Sequence, residues 1–351
     1  MLDLITNNIF PFILILTILV FVHELGHYLV ARRNGVKVEV FSVGFGKEIF
    51  GYTDKSGTRW KFSLIPLGGY VKMHGDLDEA SSKKDKSEKI NAKESFHEKS
   101  IAQRSMILFA GPAANFLFSF LLLVFINSYF GISIDKPVIS MVENNKSAFK
   151  AGLKEGDIIL EIDGNEIEKF SELRKFIQKK NNDYINVLYS RNGNIDEIKI
   201  LVEENKIGIR GTIETRKLNF LQSCYESLTQ IIYFTKATLV GVYEIFSGTR
   251  GTDELGGPIR IAKISGQVAE IGILPFISIM AYISVSLGLI NLFPIPMLDG
   301  GHLMFYAFEK VLGRPLSQKT QEGFFRIGLF LLLSLMFFTT FNDLKDLGLF
   351  K

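Results

Sequence analysis

Residues 8–31 read NIFPFILILTILVFVHELGHYLVA, an apolar run that contains the pentad His23-Glu24-Leu25-Gly26-His27. About 20 apolar residues are enough for a helix to cross a bilayer, so this stretch predicts a membrane span. On a helix, side chains at positions i and i+4 face the same way, so His23 and His27 can reach one ion with Glu24 beside them. Ionisable groups are costly inside a span, which favours a functional role for the pentad over a purely structural one.

The pentad supplies part of the chemistry of a catalytic zinc site. Histidine nitrogen suits Zn²⁺, and a catalytic site combines three protein ligands with a water molecule. Glu24 would take the proton from that water while zinc polarises a scissile carbonyl. The third protein ligand must therefore come from elsewhere in the chain.

Asp299 is a candidate for the third ligand. It closes a long uncharged run, in the stretch 291–302 that reads NLFPIPMLDGGH. Pro294 and Pro296 interrupt a helix there, and a backbone break at membrane depth is unfavourable unless it lines a cavity. A carboxylate at this point can ligate a metal, but a helix-capping aspartate at the membrane interface explains Asp299 equally well.

Further spans are predicted from three more uncharged apolar stretches, at 105–134, 271–298 and 327–342. The stretch 218–246 is also apolar but is interrupted by charged residues, which are costly in mid-span. An amphipathic helix at the membrane interface fits this stretch better than a fifth span. Four spans bring Asp299 and the pentad to the same side of the bilayer, whereas a fifth would separate them.

Composition and charge narrow the class of protein. The chain has 351 residues, of which 47% are hydrophobic and 22% charged, and its net charge is +3. This mixture favours membrane spans that alternate with water-facing parts, and the small charge argues against nucleic-acid binding. The single cysteine, Cys224, excludes an internal disulfide.

Basic residues indicate how the first span is oriented. Arg32, Arg33 and Lys37 follow the span directly, whereas residues 1–4 contain no basic residue. The positive-inside rule therefore predicts that the loop after the span is cytoplasmic and that the N-terminus lies outside. The same leader does not resemble a cleaved signal peptide.

Two water-facing regions are predicted between the spans. Residues 36–73 read as strands around the turn Asp54-Lys55-Ser56-Gly57, and the charged stretch 77–99 reads as a mobile loop. Residues 137–202 predict a small α+β domain with a strand, a helical turn, a second strand, a helix and two more strands. The run 151–158, AGLKEGDI, resembles that of a PDZ domain, and the sequence contains one such module.

The order of motifs resembles the site-2 protease family of intramembrane zinc metalloproteases. The two decisive motifs are the pentad in the first span and the stretch from Asn291 to Gly300 in a later one. Shorter matches cover nearly the whole chain, namely Gly44-Phe45-Gly46, Pro66-Leu67-Gly68-Gly69-Tyr70-Val71, Gly111-Pro112-Ala113-Ala114-Asn115-Phe116 and Gly256-Gly257-Pro258-Ile259. Family members of the enterobacterial type carry two PDZ modules in tandem, so this chain departs from them.

The resemblance implies a set of site residues. It implies Zn²⁺ bound by His23, His27 and Asp299, with Glu24 as the general base. Asn291 matches a family asparagine that holds the substrate backbone.

The region 45–73 resembles the family's membrane-associated β-hairpin, which presents a strand edge to an unwound substrate. Val71 and Lys72 are the candidate substrate contacts there, because strand addition would hold the substrate open. Asn115 and His302 match family motifs, and we expect only supporting roles for them.

The expected fold class is a polytopic α-helical membrane protein. It has four transmembrane helices, a membrane-associated β-hairpin region and one α+β PDZ-like domain. The expected organisation is two spans at 1–134, the PDZ-like domain at 135–210, amphipathic interfacial helices at 211–270 and two last spans at 271–351.

The expected function is regulated intramembrane proteolysis. By resemblance, the partners are the lipid bilayer and single-span membrane proteins that an upstream protease has already trimmed, such as anti-sigma factors, and remnant signal peptides. The expected location is the bacterial inner membrane, with the PDZ-like domain in the periplasm, where it captures a new C-terminus or excludes large substrates. Two alternatives remain open: a membrane-surface metalloprotease of quality control, and a non-catalytic PDZ scaffold.

Overall fold

The structure is a computed structural model that describes residues 5–75, 92–178 and 180–348. The chain divides into two compact units, one of Met1–Ile126 with Gln222–Lys351 and one of Asn127–Leu221. Most of the stretch 77–99, for which the sequence predicts a mobile loop, lies outside the described residues.

The regular elements are numbered here in chain order. The helices are α1 (Phe10–Arg33), α2 (Ile101–Tyr129), α3 (Ser147–Ala151), α4 (Phe170–Gln178), α5 (Phe220–Phe246), α6 (Pro258–Ile271), α7 (Ile273–Asn291), α8 (Asp299–Leu312) and α9 (Gln318–Asp346). The strands are β1 (Val38–Thr53), β2 (Arg59–Met73), β3 (Ile132–Val142), β4 (Ile158–Ile162), β5 (Asn165–Glu166), β6 (Tyr184–Arg191), β7 (Asn194–Leu201) and β8 (Ile209–Arg216). Single turns of other helix types lie at Ile5–Ile9, Ala92–Glu94 and Thr252–Glu254.

Four helices of the described chain are long and apolar enough to cross a membrane. They are α1 with the turn before it, α2, α7 and α9. Each coincides with one of the predicted spans, and α5 is not among them. The sequence therefore located the candidate spans correctly, although their ends differ from the expected ones.

Two of these helices end earlier than the uncharged sequence suggests. Helix α2 stops at Tyr129, because Gly131 adopts a φ of +82° and the chain enters β3 at Ile132. Helix α7 stops at Asn291 rather than continuing to 298. Two prolines follow it, and proline cannot donate the backbone hydrogen bond that a helix interior needs.

The stretch expected to hold only interfacial helices begins with a strand. Residues 211–216 belong to β8, which pairs antiparallel with β3, so the expected start of the interfacial helices at 211 is wrong. The helices of this stretch are α5 and α6, which begin at Phe220 and Pro258. The strand escaped prediction because its partner lies about 75 residues earlier in the chain, and pairing depends on such distant neighbours.

In the hairpin region, β1 and β2 form a sheet in which the two halves of each strand occupy different positions. Residues 40–43 of β1 pair with 69–72 of β2 on one side and with 59–62 of β2 on the other. The second half of β1, 50–53, also pairs with 59–62. Residues 69–73 therefore form an edge, and no further strand of the described chain pairs with their outer side.

The helices of the first unit pack closely where small residues meet. A β-carbon at Gly26 of α1 would overlap the carbonyl oxygen of Ala110 and lie 2.7 Å from Cβ of Ala114 in α2. Toward the other end of α1, Ile15 and Leu19 pack in one buried cluster with Met280 of α7. These contacts hold α1 between α2 and α7.

The second unit is a sheet with two short helices. Its strand order is β7-β6-β4-β3-β8, and β5 pairs with β4. A buried aliphatic core includes Ile159, Leu173, Ile185 and Ile200. The predicted α+β module is present, and it extends beyond the expected bounds of 135–210 at both ends.

Candidate metal centre

Three side chains from distant parts of the sequence meet inside the first unit. Nε2 of His23 lies 3.2 Å from Nε2 of His27 and 3.2 Å from Oδ2 of Asp299. Nε2 of His27 lies 3.5 Å from Oδ1 of the same aspartate. Their side chains are between 8% and 14% exposed.

The spacing of these atoms fits a zinc ion. Tetrahedral zinc with ligands at about 2.0–2.2 Å holds its ligand atoms about 3.3–3.6 Å apart. The three measured separations fall at or next to this range, and Oδ2 of Asp299 is buried without a hydrogen-bond partner. Two imidazoles and a carboxylate are also a donor set that zinc prefers.

Helix α2 contacts both imidazoles from behind. Nδ1 of His27 lies 2.8 Å from the carbonyl oxygen of Ile107, and Nδ1 of His23 lies 3.1 Å from the side-chain amide of Asn115. Gly111 lies midway between these two contacts, and a β-carbon there would overlap Nε2 of His27. Gly111 and Asn115 belong to a motif that is visible in the sequence, whereas the contact from Ile107 is made by a backbone atom, which no residue type reveals.

Asp299 does not end the third span, as the sequence suggested, but begins the separate helix α8. The intervening loop folds against the start of this helix, so β-carbons at Gly300 and Gly301 would overlap loop carbonyls of Leu292 and Ile295, respectively. Two glycines in succession therefore let the loop approach closely and set the position of Asp299.

Helix α8 is held against α2 by a buried ion pair. Nη2 of Arg104 donates to Oε1 of Glu309 at 2.7 Å, and the two side chains are 11% and 16% exposed. The guanidinium also lies 4.5 Å from the ring centroid of Tyr306. The helix that carries Asp299 is thus bound to the helix that contacts both histidines.

Glu24 lies beside the cluster and against the sheet edge. It is half-buried and follows His23 on α1. A β-carbon at Gly69 of β2 would lie 3.2 Å from Cγ of Glu24 and 2.8 Å from Cγ1 of Val20. The edge 69–73 therefore meets the glutamate at Gly69.

The other predicted site residues lie on α7, β2 and α8. Asn291 is half-buried at the end of α7. Val71 and Lys72 lie on the edge segment of β2, where they pair with Phe41 and Val40. His302 lies one turn after Asp299 on α8, with its ring 5.3 Å from that of Phe325.

An ion-pair network fixes the end of the edge segment. Oε2 of Glu39 lies 2.9 Å from Nζ of Lys72, and Oε1 lies 2.8 Å from Nδ1 of the buried His74. Partial burial alone would raise the pKa of Glu39, but the hydrogen bonds from His74 and Lys72 outweigh it and lower this pKa. Glu39 therefore stays ionised and ties β1 to the edge segment.

Comparison with known proteins gives three kinds of match. Residues 11–335 match the model of peptidase family M50. A protein of Agrobacterium fabrum is 40% identical over 97% of both chains, and one of Rhizobium meliloti is 39% identical over 98% of both; both are named as candidate zinc metalloproteases. A solved PDZ domain of an SdrC-like protein from Listeria monocytogenes covers 23% of this chain and 92% of its own, with 24% identity and a TM-score of 0.21.

The family match extends over most of the chain, and the relatives match it along nearly their whole length. The expected enzyme class and the expected zinc cofactor are confirmed by these matches. The chain belongs to peptidase family M50, the site-2 protease family, and is a zinc metalloprotease.

Proposed function

We propose that this metalloprotease cuts transmembrane segments of other membrane proteins, with zinc held by His23, His27 and Asp299 and with Glu24 as the general base. One observation carries the proposal. The three candidate ligands converge at a helix, Asn7–Arg33, whose length and apolar composition suit a membrane span. A reaction centre on such a helix acts on peptide bonds that are themselves within the bilayer.

Each protein group has a defined task in this reaction. Zinc held by the three residues supplies Lewis acidity toward the scissile carbonyl and acidifies a water molecule. Glu24 accepts the proton of the attacking water on a carboxylate oxygen and then donates it to the leaving amine, so that a carboxylate is regenerated. Glu24 interacts electrostatically with His23, His27 and Asp299, so its carboxylate lies near the place where the water would be bound.

The substrate must be extended before it can be cut, because helical carbonyls are enclosed by their own hydrogen bonds. The edge 69–73 lies beside Glu24 and has an outer side on which no described strand pairs. A substrate that adds to this edge as a strand would be held open by backbone hydrogen bonds. We assign Val71 and Lys72 to this contact, and the side-chain amide of Asn291 to the substrate backbone.

Zinc content and cleavage together test the site. In full-length protein, His23→Ala and Asp299→Ala should each abolish both zinc binding and cleavage of a single-span substrate. Glu24→Gln should abolish cleavage but retain zinc, because it leaves the three ligands intact. The proposal fails if Asp299→Ala keeps full activity, or if the cut maps outside the substrate's transmembrane segment.

Proline substitutions test the strand clamp. Successive backbone N–H groups of a strand point to opposite sides, so one of those at Val71 and Lys72 points away from β1. Proline removes the N–H, and at least one of Val71→Pro and Lys72→Pro should lower cleavage while zinc stays bound. Lys55→Pro is the matched control, since proline is favoured at the second position of a β-turn such as 54–57. Normal turnover in both edge variants would contradict the clamp.

For substrates, we propose single-span proteins that an upstream protease has already trimmed, such as anti-sigma factors. In this proposal the enzyme lies in the bacterial inner membrane, with the second unit in the periplasm acting as a size filter. One test offers a substrate with and without its outer domain to the full enzyme and to a variant that lacks residues 132–216. If the shortened enzyme binds zinc but still refuses the untrimmed substrate, the filter is wrong.

Cysteine labelling tests the orientation separately. In a Cys224→Ser background, a cysteine at Lys169 should react with an impermeant reagent on intact cells. A cysteine at Lys93 should react only after the membrane is opened. Equal labelling of both would contradict the proposed orientation.

A further inference from the structure

One face of α2 is built around the two candidate histidine ligands. Ile107, Gly111 and Asn115 are spaced four residues apart, so they lie in a row along this face. His27 and His23 on α1 have the same spacing and meet this row in antiparallel order. Each histidine thus has its own partner on α2, with Gly111 leaving room for both rings.

The partner of His27 determines its tautomer. A carbonyl oxygen can only accept, so the 2.8 Å contact with Ile107 requires a proton on Nδ1 of His27. Nε2 then carries the free lone pair, and Nε2 is the atom that faces Asp299. A backbone carbonyl thus prepares His27 to ligate through Nε2.

The same requirement applies to His23. Its Nε2 lies 3.2 Å from Asp299, so ligation through Nε2 requires the proton on Nδ1. The group opposite Nδ1 is the Asn115 amide at 3.1 Å, and two N–H donors facing each other would repel. The oxygen and nitrogen of an amide have nearly the same shape, so the hydrogen bonding decides which one faces His23.

An accepting amide oxygen also gives the buried Oδ1 of Asn115 a hydrogen-bond partner. With its nitrogen toward His23, Asn115 leaves its buried Oδ1 without a hydrogen-bond partner. Turning the amide by half a rotation brings Oδ1 to Nδ1 of His23, where it accepts the required proton, and moves the nitrogen to the former position of the oxygen. The residue is fully buried, so this hydrogen bond is protected from water.

Asn115 is itself braced by a third helix. The hydroxyl of Ser284 in α7 donates to the backbone carbonyl of Asn115 at 2.8 Å, and both residues are fully buried. The backbone of Asn115 is therefore held from α7 while its side-chain amide faces His23 on α1. This fixed placement is what a hydrogen bond needs in order to select one tautomer.

We infer that Asn115 is a positioning residue for the zinc site, whose amide oxygen accepts from Nδ1–H of His23 and holds this histidine in the Nε2-ligating tautomer. Asn115 then selects the tautomer of His23 as the carbonyl of Ile107 selects that of His27. The inference rests on the proposed function, because it takes His23 as a ligand.

The test measures the zinc Kd of the full-length protein by competition with a chelator. Asn115→Leu keeps the branched shape of the side chain but has no acceptor, and it should raise the Kd by about 10–100-fold, the usual effect of losing such a partner. Asn115→Asp keeps an acceptor oxygen and should bind zinc at least as tightly as the wild type. If Asn115 served only to pack the helices, the buried charge of Asn115→Asp would weaken zinc binding more than Asn115→Leu does. The positioning role and the packing role therefore predict opposite orders of zinc Kd for these two variants.

Further variants complete the test. Ser119→Ala is the matched control, because Ser119 is equally buried one turn along α2 and its hydroxyl has no hydrogen-bond partner; its Kd should match the wild type. Asn115→Ala, which is smaller, replaces Asn115→Leu if the latter fails to fold. The inference is overturned if Asn115→Leu, or Asn115→Ala in its place, keeps the wild-type Kd. It is also overturned if the Kd of Asn115→Asp is higher than that of Asn115→Leu. Unchanged zinc binding in His23→Ala would instead overturn the ligand set of the proposed function.

Discussion

Replacing Gly111 by alanine tests whether the space behind the two histidines is required for metal binding. The added β-carbon would lie 2.5 Å from Cε1 of His27 and 2.9 Å from Cε1 of His23. Carbon atoms in favourable contact are about 3.5–4.0 Å apart, so each ring would have to retreat by roughly 1 Å. His27 cannot easily do so, because its Nδ1 is bound to the carbonyl of Ile107.

The size of the effect follows from this displacement. Ligand geometry must be kept within about 0.5 Å for a site to function, so a shift of roughly 1 Å is large. Inserting a methyl group into a close-packed site costs about 1–3 kcal/mol. If this cost falls on the metal-bound geometry, the zinc Kd should rise about 5- to 150-fold. Cleavage should fall at least in proportion to the zinc that is lost.

The assay compares zinc Kd and thermal unfolding for Gly111→Ala and a control. Gly323→Ala is that control, since Gly323 lies in helix α9 and a β-carbon there meets no atom within 4 Å. The control should keep the wild-type zinc Kd because the added carbon meets no atom, and it should not lower the unfolding temperature because alanine favours a helix over glycine. Wild-type zinc binding in Gly111→Ala would refute the view that this glycine makes room for the imidazoles.

Three other predictions concern pH, helix capping and the loop before Asp299. Hydrogen bonds from Ser56 and from the indole of Trp60 lower the pKa of Asp54. The stability that these bonds add is therefore present above the unfolded pKa of about 3.9 and is lost as pH falls through the lower folded pKa. The fluorescence of Trp60, the single tryptophan, should change with a midpoint below about pH 3.9. Asp343→Ala should speed tryptic cleavage before α6, because each of the three backbone N–H groups it binds there costs about 1–3 kcal/mol when left unpaired; Asp343→Asn should have a smaller effect. Gly300→Ala should weaken zinc binding by about tenfold or more, because its β-carbon would overlap the loop and displace the adjacent carboxylate; an unchanged Kd would contradict this.

The candidate spans could be predicted from sequence because their signal is local. A long uncharged run implies a helix at membrane depth, since backbone groups there must be paired within the segment. The pairing of His23 with His27 follows in the same way from the period of the helix. The start of α2 and the ends of α9 lie several residues outside the uncharged runs at 105–134 and 327–342, because charged residues can continue a helix beyond its apolar part.

The surroundings of the metal centre depend on contacts between distant segments. Sequence spacing left Asp299 open between a metal ligand and a helix cap, and the structure brings it to within 3.5 Å of both histidines. The contact of Ile107 with His27 uses a backbone atom, which no residue type reveals.

Strand pairing was the feature least predictable from sequence, because it also depends on contacts between distant segments. The family resemblance implies a strand edge within 45–73, but only the double pairing of β1 shows that 69–73 is that edge and that it meets Glu24. Strand β8 was assigned to a helical region because its partner lies far earlier in the chain. The sequence by itself determined the candidate spans and the pentad, since these follow from local helix geometry and from the cost of placing polar groups in lipid. The tertiary structure alone decided which backbone groups, glycines and strand edges surround the pentad, because such contacts depend on packing between helices and strands far apart in sequence.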